Sequence, residues 1–181
     1  MNSALPVLSF EQTVAGLLNG DFSRLEPVFN PVEGRISCPV IDWYQQGLFT
    51  NRTDALGEAF TCASFNGAAT VVQYFLSNGL NPSGGARTGL NALHWAANRG
   101  QKYVVELLIQ ARAPLESINS YGGTVLGCTV WSAVHETKPD HLEIIKLLLN
   151  AGANPFRCDF PSGRADVDAL IAARRAETKT K

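Results

Sequence analysis

Apolar positions along the chain recur every 33 residues. Short apolar segments begin at Phe60, Leu93 and Leu126, and the same step separates Gly67 from Gly100. A second apolar segment follows each of these after a short polar interval. This agreement indicates a tandem repeat, in which each copy buries its apolar side against the next copy.

The third copy is longer than the other two. The second apolar segment is followed by Gly79, Arg112 or Gly152, and the step from Arg112 to Gly152 is 40 residues, seven more than the regular 33. The extra residues fall between Leu126 and Asp140. Glycine is common after the last helical turn because it adopts a positive φ cheaply. We therefore predict that Arg112 is also left-handed, at a cost of about 1–2 kcal/mol.

Each copy is predicted to be a pair of helices. Asn91 can cap the first helix of the middle copy, because its side-chain oxygen can accept an unpaired N–H of the first turn. Gly100 then allows a tight turn into the second helix. Val104, Leu107 and Leu108 lie on one face of that helix and are predicted to pack against the neighbouring copies.

The N-terminal region carries further helical patterns. Ser9 and Gln12 have the spacing of a capping box, which predicts a helix beginning at this point. A short second helix is expected to end at Pro27, because proline lacks the N–H that a helix interior needs. Residues 30–37 are predicted to be a loop, and Pro39 is tolerated in the first turn of the helix that follows.

The C-terminal segment is predicted to cap the last repeat, because an end repeat would otherwise leave an apolar face in water. Val167, Leu170 and Ile171 form the apolar side of a helix, and residues 177–181 are expected to be frayed. We therefore predict one domain with the following parts: an N-terminal cap region (1–53), repeat 1 (54–86), repeat 2 (87–119), repeat 3 with the insertion (120–159), and a C-terminal capping helix with tail (160–181).

The middle copy, GLNALHWAANRGQKYVVELLIQARA at residues 89–113, resembles the ankyrin repeat. His94 and Gly100 match the family pattern G-x-T-P-L-H-x-A-A-x-x-G-H, and the resemblance extends over about residues 55–158. It implies an all-α ankyrin-repeat solenoid of stacked helix-turn-helix units.

Two copies depart from the family pattern at its histidine. In the family, the histidine that corresponds to His94 hydrogen-bonds the neighbouring repeat. Thr61 and Gly127 occupy this position in the first and third copies. The resemblance therefore implies that this stack keeps only one of those links.

The resemblance also places a candidate binding surface on the inner helices and turn tips. The two positions before the turn glycine line the concave face in the family, and exposed loop residues on a rigid scaffold are natural recognition positions. The 33-residue step gives the candidate partner-binding residues: Phe65, Asn66, Asn98, Arg99, Trp131 and Ser132 on the inner helices, and Arg87, Leu90 and Tyr121 at the turn tips. Aromatic side chains beside an arginine are typical of protein-binding hot spots. In an alternative interpretation Phe65 and Trp131 are core residues, and Trp95 is predicted to be core.

A competing function is a metal-binding or hydrolytic site at the insertion, formed by His135, Glu136, Asp140 and His141. A metalloprotease helix carries two histidines four residues apart on one face. Here the histidines are six residues apart with Pro139 between them, and proline disfavours a continuous helix. We therefore predict that they lie on different elements, with Asp140 capping the helix that begins near His141.

Composition narrows the function class. The formal net charge is −1, so no overall field favours nucleic acid or an anionic membrane. There is no apolar run as long as a membrane span, and the first basic residue, Arg24, comes too late for the charged start of a signal peptide. The four cysteines form no CxxC motif, which indicates a reducing, cytoplasmic compartment. We predict a monomeric, non-enzymatic module without a cofactor that binds another protein.

Overall fold

The computed structural model describes residues 8–31, 37–85 and 87–179, and these residues fold into helices without a β-strand. Two to five residues join the two helices of each repeat, and 14-residue segments join α4 to α5, α6 to α7 and α8 to α9. The helical content confirms the all-α prediction. The helices are α1 (Phe10–Asn19), α2 (Pro39–Gln45), α3 (Thr53–Asn66), α4 (Ala69–Ser77), α5 (Ala92–Asn98), α6 (Lys102–Gln110), α7 (Val125–His135), α8 (His141–Asn150) and α9 (Ala165–Lys179), with 3₁₀ helices at Phe22–Arg24 and Glu26–Phe29.

The helices form two layers. α3, α5 and α7 pack side by side as the inner layer, and α4, α6 and α8 form the outer layer, each against the inner helix that precedes it. The buried face of α6 consists of Val104, Val105 and Leu108. Leu107 packs against the core but is only half-buried, so its predicted packing is confirmed in part, and Val105 is a fully buried member of this face.

Local capping groups set several helix starts. The Ser9 hydroxyl accepts the Gln12 N–H at 3.2 Å, and the Gln12 side chain accepts the Ser9 N–H at 2.9 Å, which confirms the capping box. The Asn91 Oδ1 accepts the His94 N–H at 3.0 Å, as predicted for α5. Thr124 has the same function at the start of α7.

The first inner helix begins earlier than the repeat pattern indicates. α3 starts at Thr53, seven residues before the apolar segment at Phe60. The loop that precedes α5 packs on this extension. Gly57 permits the contact, because a Cβ at this position would lie about 3.1 Å from the Gly85 backbone nitrogen. The Thr61 hydroxyl donates to the Gly85 carbonyl at 2.9 Å and fixes this contact.

The two terminal regions agree only in part with the predictions from the sequence. Pro27 does not end a helix but lies in the first turn of the second 3₁₀ helix, and Pro39 is the first residue of α2, as predicted. The predicted loop at 30–37 lies mostly outside the described residues. At the other end α9 buries Val167 and Ile171 and leaves Leu170 half-buried.

The C-terminal tail is more ordered than its composition predicts. α9 continues to Lys179, so residues 177–179 are helical where fraying was expected. The Arg174 guanidinium pairs with Glu177 at 3.3 Å, which ties the last turns together. Residues 180–181 lie outside the described residues.

The family-type histidine link between neighbouring repeats is present at His94. His94 is buried with its Nε2 3.3 Å from the Gly123 carbonyl, and burial lowers the pKa of its imidazole. The Thr61 hydroxyl donates to the Gly85 carbonyl within the first repeat, and the Thr124 hydroxyl donates to the Arg157 carbonyl at 2.9 Å within the third. The prediction of one link of this kind is therefore confirmed at His94, because the Thr61 and Thr124 hydroxyls bond carbonyls at the ends of their own repeats.

Candidate binding groove

A groove of about 1030 Å³ opens between the second repeat, the third repeat and the loop that precedes α9. It contains six of the nine candidate residues from the sequence, namely Leu90, Asn98, Arg99, Tyr121, Trp131 and Ser132. Inner helices α5 and α7 form its floor and the turn tips form one rim. Periodicity therefore brings most of the predicted surface into one concave site.

The turn tip of the third repeat is a tight hairpin built around Asn119. The buried Asn119 Oδ1 accepts the N–H groups of Tyr121 and Gly123, each at 2.9 Å. The Ser120 N–H donates to the Gly89 carbonyl at 3.0 Å, which joins this tip to that of the second repeat. Tyr121 is thereby held at the rim with 83% of its surface exposed. Asn119 was not a predicted site residue, although asparagine and glycine residues close together, as at Asn119 and Gly122-Gly123, are typical of a turn.

Trp131 lies on the floor of the groove with half of its surface exposed. The core interpretation is therefore wrong for this residue. Its ring lies 4.7 Å from the exposed His135 ring, one helical turn further along α7. A large aromatic face presented to solvent at this position is available to an apolar group of a partner.

Trp95 is not a core residue but lines the groove, against the prediction. Its ring packs edge-on against Phe65 at 5.1 Å, and its Nε1 donates to the Thr88 hydroxyl at 3.2 Å. Phe65 in turn contacts Phe22 of the N-terminal cap at 5.8 Å. Phe65 is therefore half-buried in an aromatic cluster beside the groove rather than a residue of its wall.

Two further candidate residues stabilise the cap instead of lining the groove. The Asn66 Nδ2 donates to the Phe22 carbonyl at 3.2 Å. The Arg87 Nε donates to the Leu18 carbonyl at 3.2 Å, and its backbone N–H donates to Glu58 at 2.8 Å. Both side chains bridge the first repeats to the N-terminal region, which a repeat pattern cannot indicate.

Arg99 ends α5 and is held by an aromatic face. Its guanidinium carbon lies 4.7 Å from the centre of the Phe65 ring. The residue is exposed and makes no ion pair with a described residue. Stacking fixes a planar guanidinium while its edge stays free to donate hydrogen bonds.

The far wall of the groove is a loop clamped by the C-terminal helix. Arg175 of α9 lies between the rings of Phe156 and Phe160, at 5.1 and 4.4 Å. Its Nε donates to the Pro155 carbonyl at 2.8 Å. Phe156 and Cys158 line the groove. This loop was not among the predicted site segments.

The groove carries balanced charge. Arg99 and Arg157 contribute two positive groups, and Glu136 and Asp159 contribute two negative groups. A strongly charged polymer therefore gains little here. The lining thiols are Cys128 and Cys158, and burial raises the pKa of each.

The insertion separates its two histidines, as predicted. His135 is the last residue of α7 and His141 the first of α8. The His141 Nδ1 accepts the Lys138 N–H at 3.1 Å, so its Nε2 carries the proton and donates to the Asn98 carbonyl at 3.0 Å. Both ring nitrogens are used, and burial lowers the pKa of the imidazole.

The other members of the insertion do not complete a metal site. Glu136 and Asp140 are exposed. Asp140 stands at the N-cap position of α8, but its side chain makes no capping hydrogen bond, so the predicted cap is wrong. Within residues 8–31, 37–85 and 87–179, no three His, Cys, Asp or Glu side chains are grouped to hold a metal ion.

The fold and the groove define an ankyrin-type stack, and comparison with family models agrees. The model described as ankyrin repeats (3 copies) matches residues 59–159, more than half of the chain. The chain therefore belongs to the ankyrin-repeat family. A search of curated proteins found no match to the sequence. None of the helices in the described part of the chain is both long and apolar enough to cross a bilayer.

Proposed function

We propose that this protein is a non-enzymatic interaction module that binds a partner protein in the groove between the second and third repeats. Ankyrin repeats are generally protein-interaction modules. The observation that carries the proposal is the exposed Trp131 on the groove floor, with Tyr121 at the rim. Aromatic residues of this kind dominate binding energy when a partner buries them.

Rigidity of the groove supports the same conclusion. Asn119 fixes the rim, Arg175 clamps the far wall and His141 ties the floor to α8. A preorganised surface loses little conformational entropy on binding. We further propose that the module acts as a monomer in a reducing compartment, where its four free cysteines remain thiols.

The test compares Trp131→Ala with the matched control Tyr103→Ala. Tyr103 is 74% exposed on α6 and does not line the groove. Both variants and the wild type are used as bait, and proteins retained by the wild type are identified and purified. Their affinities for the three forms are then measured by calorimetry.

We expect Trp131→Ala to weaken binding at least about tenfold, because truncation of a hot-spot aromatic costs about 2 kcal/mol or more. Tyr103→Ala should bind like the wild type. Equal loss in both variants, or loss with Tyr103→Ala alone, would place the binding surface outside the groove.

A further inference from the structure

Four charged side chains line the groove. The guanidinium of one of them, Arg99, is oriented by contact with an aromatic ring. The Phe65 ring supports the guanidinium at 4.7 Å, and Phe65 is itself fixed by Trp95 at 5.1 Å and Phe22 at 5.8 Å. The guanidinium therefore needs little further ordering to donate two parallel hydrogen bonds. A planar acceptor with two oxygens matches that geometry.

The 33-residue repeat places Trp131 next to the position that corresponds to Arg99. It stands one residue before Ser132, which is 33 positions after Arg99. α5 and α7 pack side by side and both residues line the same groove. An apolar recognition point is thus adjacent to a preorganised cationic one.

The remaining charges select among acceptors. Besides Arg99, the groove is lined by Arg157, Glu136 and Asp159, which together carry one net negative charge, and a charge of like sign weakens the binding of an incoming anion. A phosphate group, with a charge between −1.5 and −2, is disfavoured more strongly by these carboxylates than a single carboxylate is. Arg99 is thus suited to an anion of unit charge.

Resting on the proposed function, we infer that the partner segment places an aspartate or glutamate carboxylate on Arg99 and an adjacent large apolar side chain on Trp131. The occupant is a protein segment in which an acidic residue lies next to an aromatic or aliphatic residue. Phe65 acts as a positioning residue that holds the guanidinium in place for this contact.

The test is selection from a displayed library of random twelve-residue peptides. The wild type, Arg99→Glu and the control Arg112→Glu are screened in parallel; Arg112 is exposed and does not line the groove. We expect the wild type and Arg112→Glu to enrich an acidic residue beside a large apolar one, and Arg99→Glu to lose the acidic preference. An acidic preference that survives Arg99→Glu, or an apolar consensus without acid, would overturn the inference while leaving the groove as a binding site.

The selected peptide then measures the contact directly. Replacement of its acidic residue by the matching amide should weaken wild-type binding about tenfold or more, since hydrogen bonds between charged groups are the strong ones. Phe65→Leu, which keeps an apolar group against Trp95, should weaken the acidic peptide and leave the amide peptide unchanged. Equal effects on both peptides would reduce Phe65 to a structural role, and tighter binding of a phosphoserine peptide would overturn the choice of carboxylate.

A screen that enriches no peptide on any folded form would refute the proposed function of the groove together with this inference. Far-UV circular dichroism verifies that each variant retains its helices. Failure of the inference alone has a different outcome, namely enrichment without dependence on Arg99.

Discussion

Arg112 occupies a backbone conformation that favours glycine, and replacing it should stabilise the protein. Its φ is 60°, in the position where the other repeats have Gly79 with φ 80° and Gly152 with φ 104°. Left-handed φ costs a residue with a Cβ about 1–2 kcal/mol. Glycine also has more backbone freedom in the unfolded chain, and this entropy offsets about 0.4–1 kcal/mol of the strain energy that the substitution removes. The net expectation for Arg112→Gly is a gain of about 1 kcal/mol.

The assay is urea unfolding followed by far-UV circular dichroism, together with a thermal melt. For a chain of this length 1 kcal/mol corresponds to a rise of about 2–4 °C in the melting temperature. The dependence of the unfolding free energy on urea should not change, because the surface exposed on unfolding is the same. The Arg112 side chain makes no hydrogen bond or ion pair with a described residue, so its removal should cost little.

Controls separate backbone strain from loss of the charge. Arg112→Ala removes the guanidinium but keeps the Cβ, so its stability should match that of the wild type. Gly79→Ala and Gly152→Ala should each lose about 1 kcal/mol, since a Cβ at either position meets no atom within 4 Å and only the conformation is penalised. Arg112→Gly with a melting temperature at or below that of the wild type, alongside destabilised Gly→Ala controls, would refute the argument.

Two further predictions concern a buried acid and the clamp of the groove wall. Burial raises the pKa of Glu58, whose Oε2 has no hydrogen-bond partner although Arg87 donates to its other oxygen; a raised folded-state pKa stabilises the protein at low pH, and that contribution is lost as pH rises through it. At neutral pH the unfolding free energy of Glu58→Gln should therefore exceed that of the wild type by on the order of 1 kcal/mol, and the difference should vanish in acid. Urea unfolding of both proteins over a range of pH measures this difference, and a difference that does not change with pH would contradict the prediction. Arg175→Ala should raise the alkylation rate of Cys158 several-fold relative to Cys128, as followed by mass spectrometry, because the loop is released. Loss of the nearby positive charge alone would slow that reaction, since Arg175 lowers the pKa of the Cys158 thiol, so an unchanged or slower rate would count against the clamp.

Features that depend on neighbouring residues or on the 33-residue step were predictable from the sequence. The capping box at Ser9 and the cap at Asn91 each depend on a few neighbouring residues, and the left-handed Arg112 follows from its alignment with Gly79 and Gly152. The 33-residue step then placed Asn98 and Trp131 on equivalent helix positions, and both line the groove. Local chemistry and periodicity together thus predict the stack and the floor of the site.

Features that depend on contacts between distant segments were not predictable in this way. α3 extends to Thr53 and contacts the loop at Gly85, and these residues belong to no shared motif. Trp95 keeps the same register as the buried Cys62, yet it is only half-buried and lines the groove. The far wall depends on Arg175, which lies outside the repeats and has no periodic counterpart.

The insertion shows how a local departure from the repeat shapes the site. It lengthens the inner helix to 11 residues in α7, from 7 in α5, and brings Glu136 to the groove. A longer helix needs its following turn to be anchored, and His141 supplies that anchor by accepting the Lys138 N–H and donating to the Asn98 carbonyl. Because burial lowers the pKa of this imidazole, it stays neutral and keeps one acceptor and one donor nitrogen at neutral pH. His141, which resembled a metal ligand in the sequence, therefore links the insertion to the groove floor.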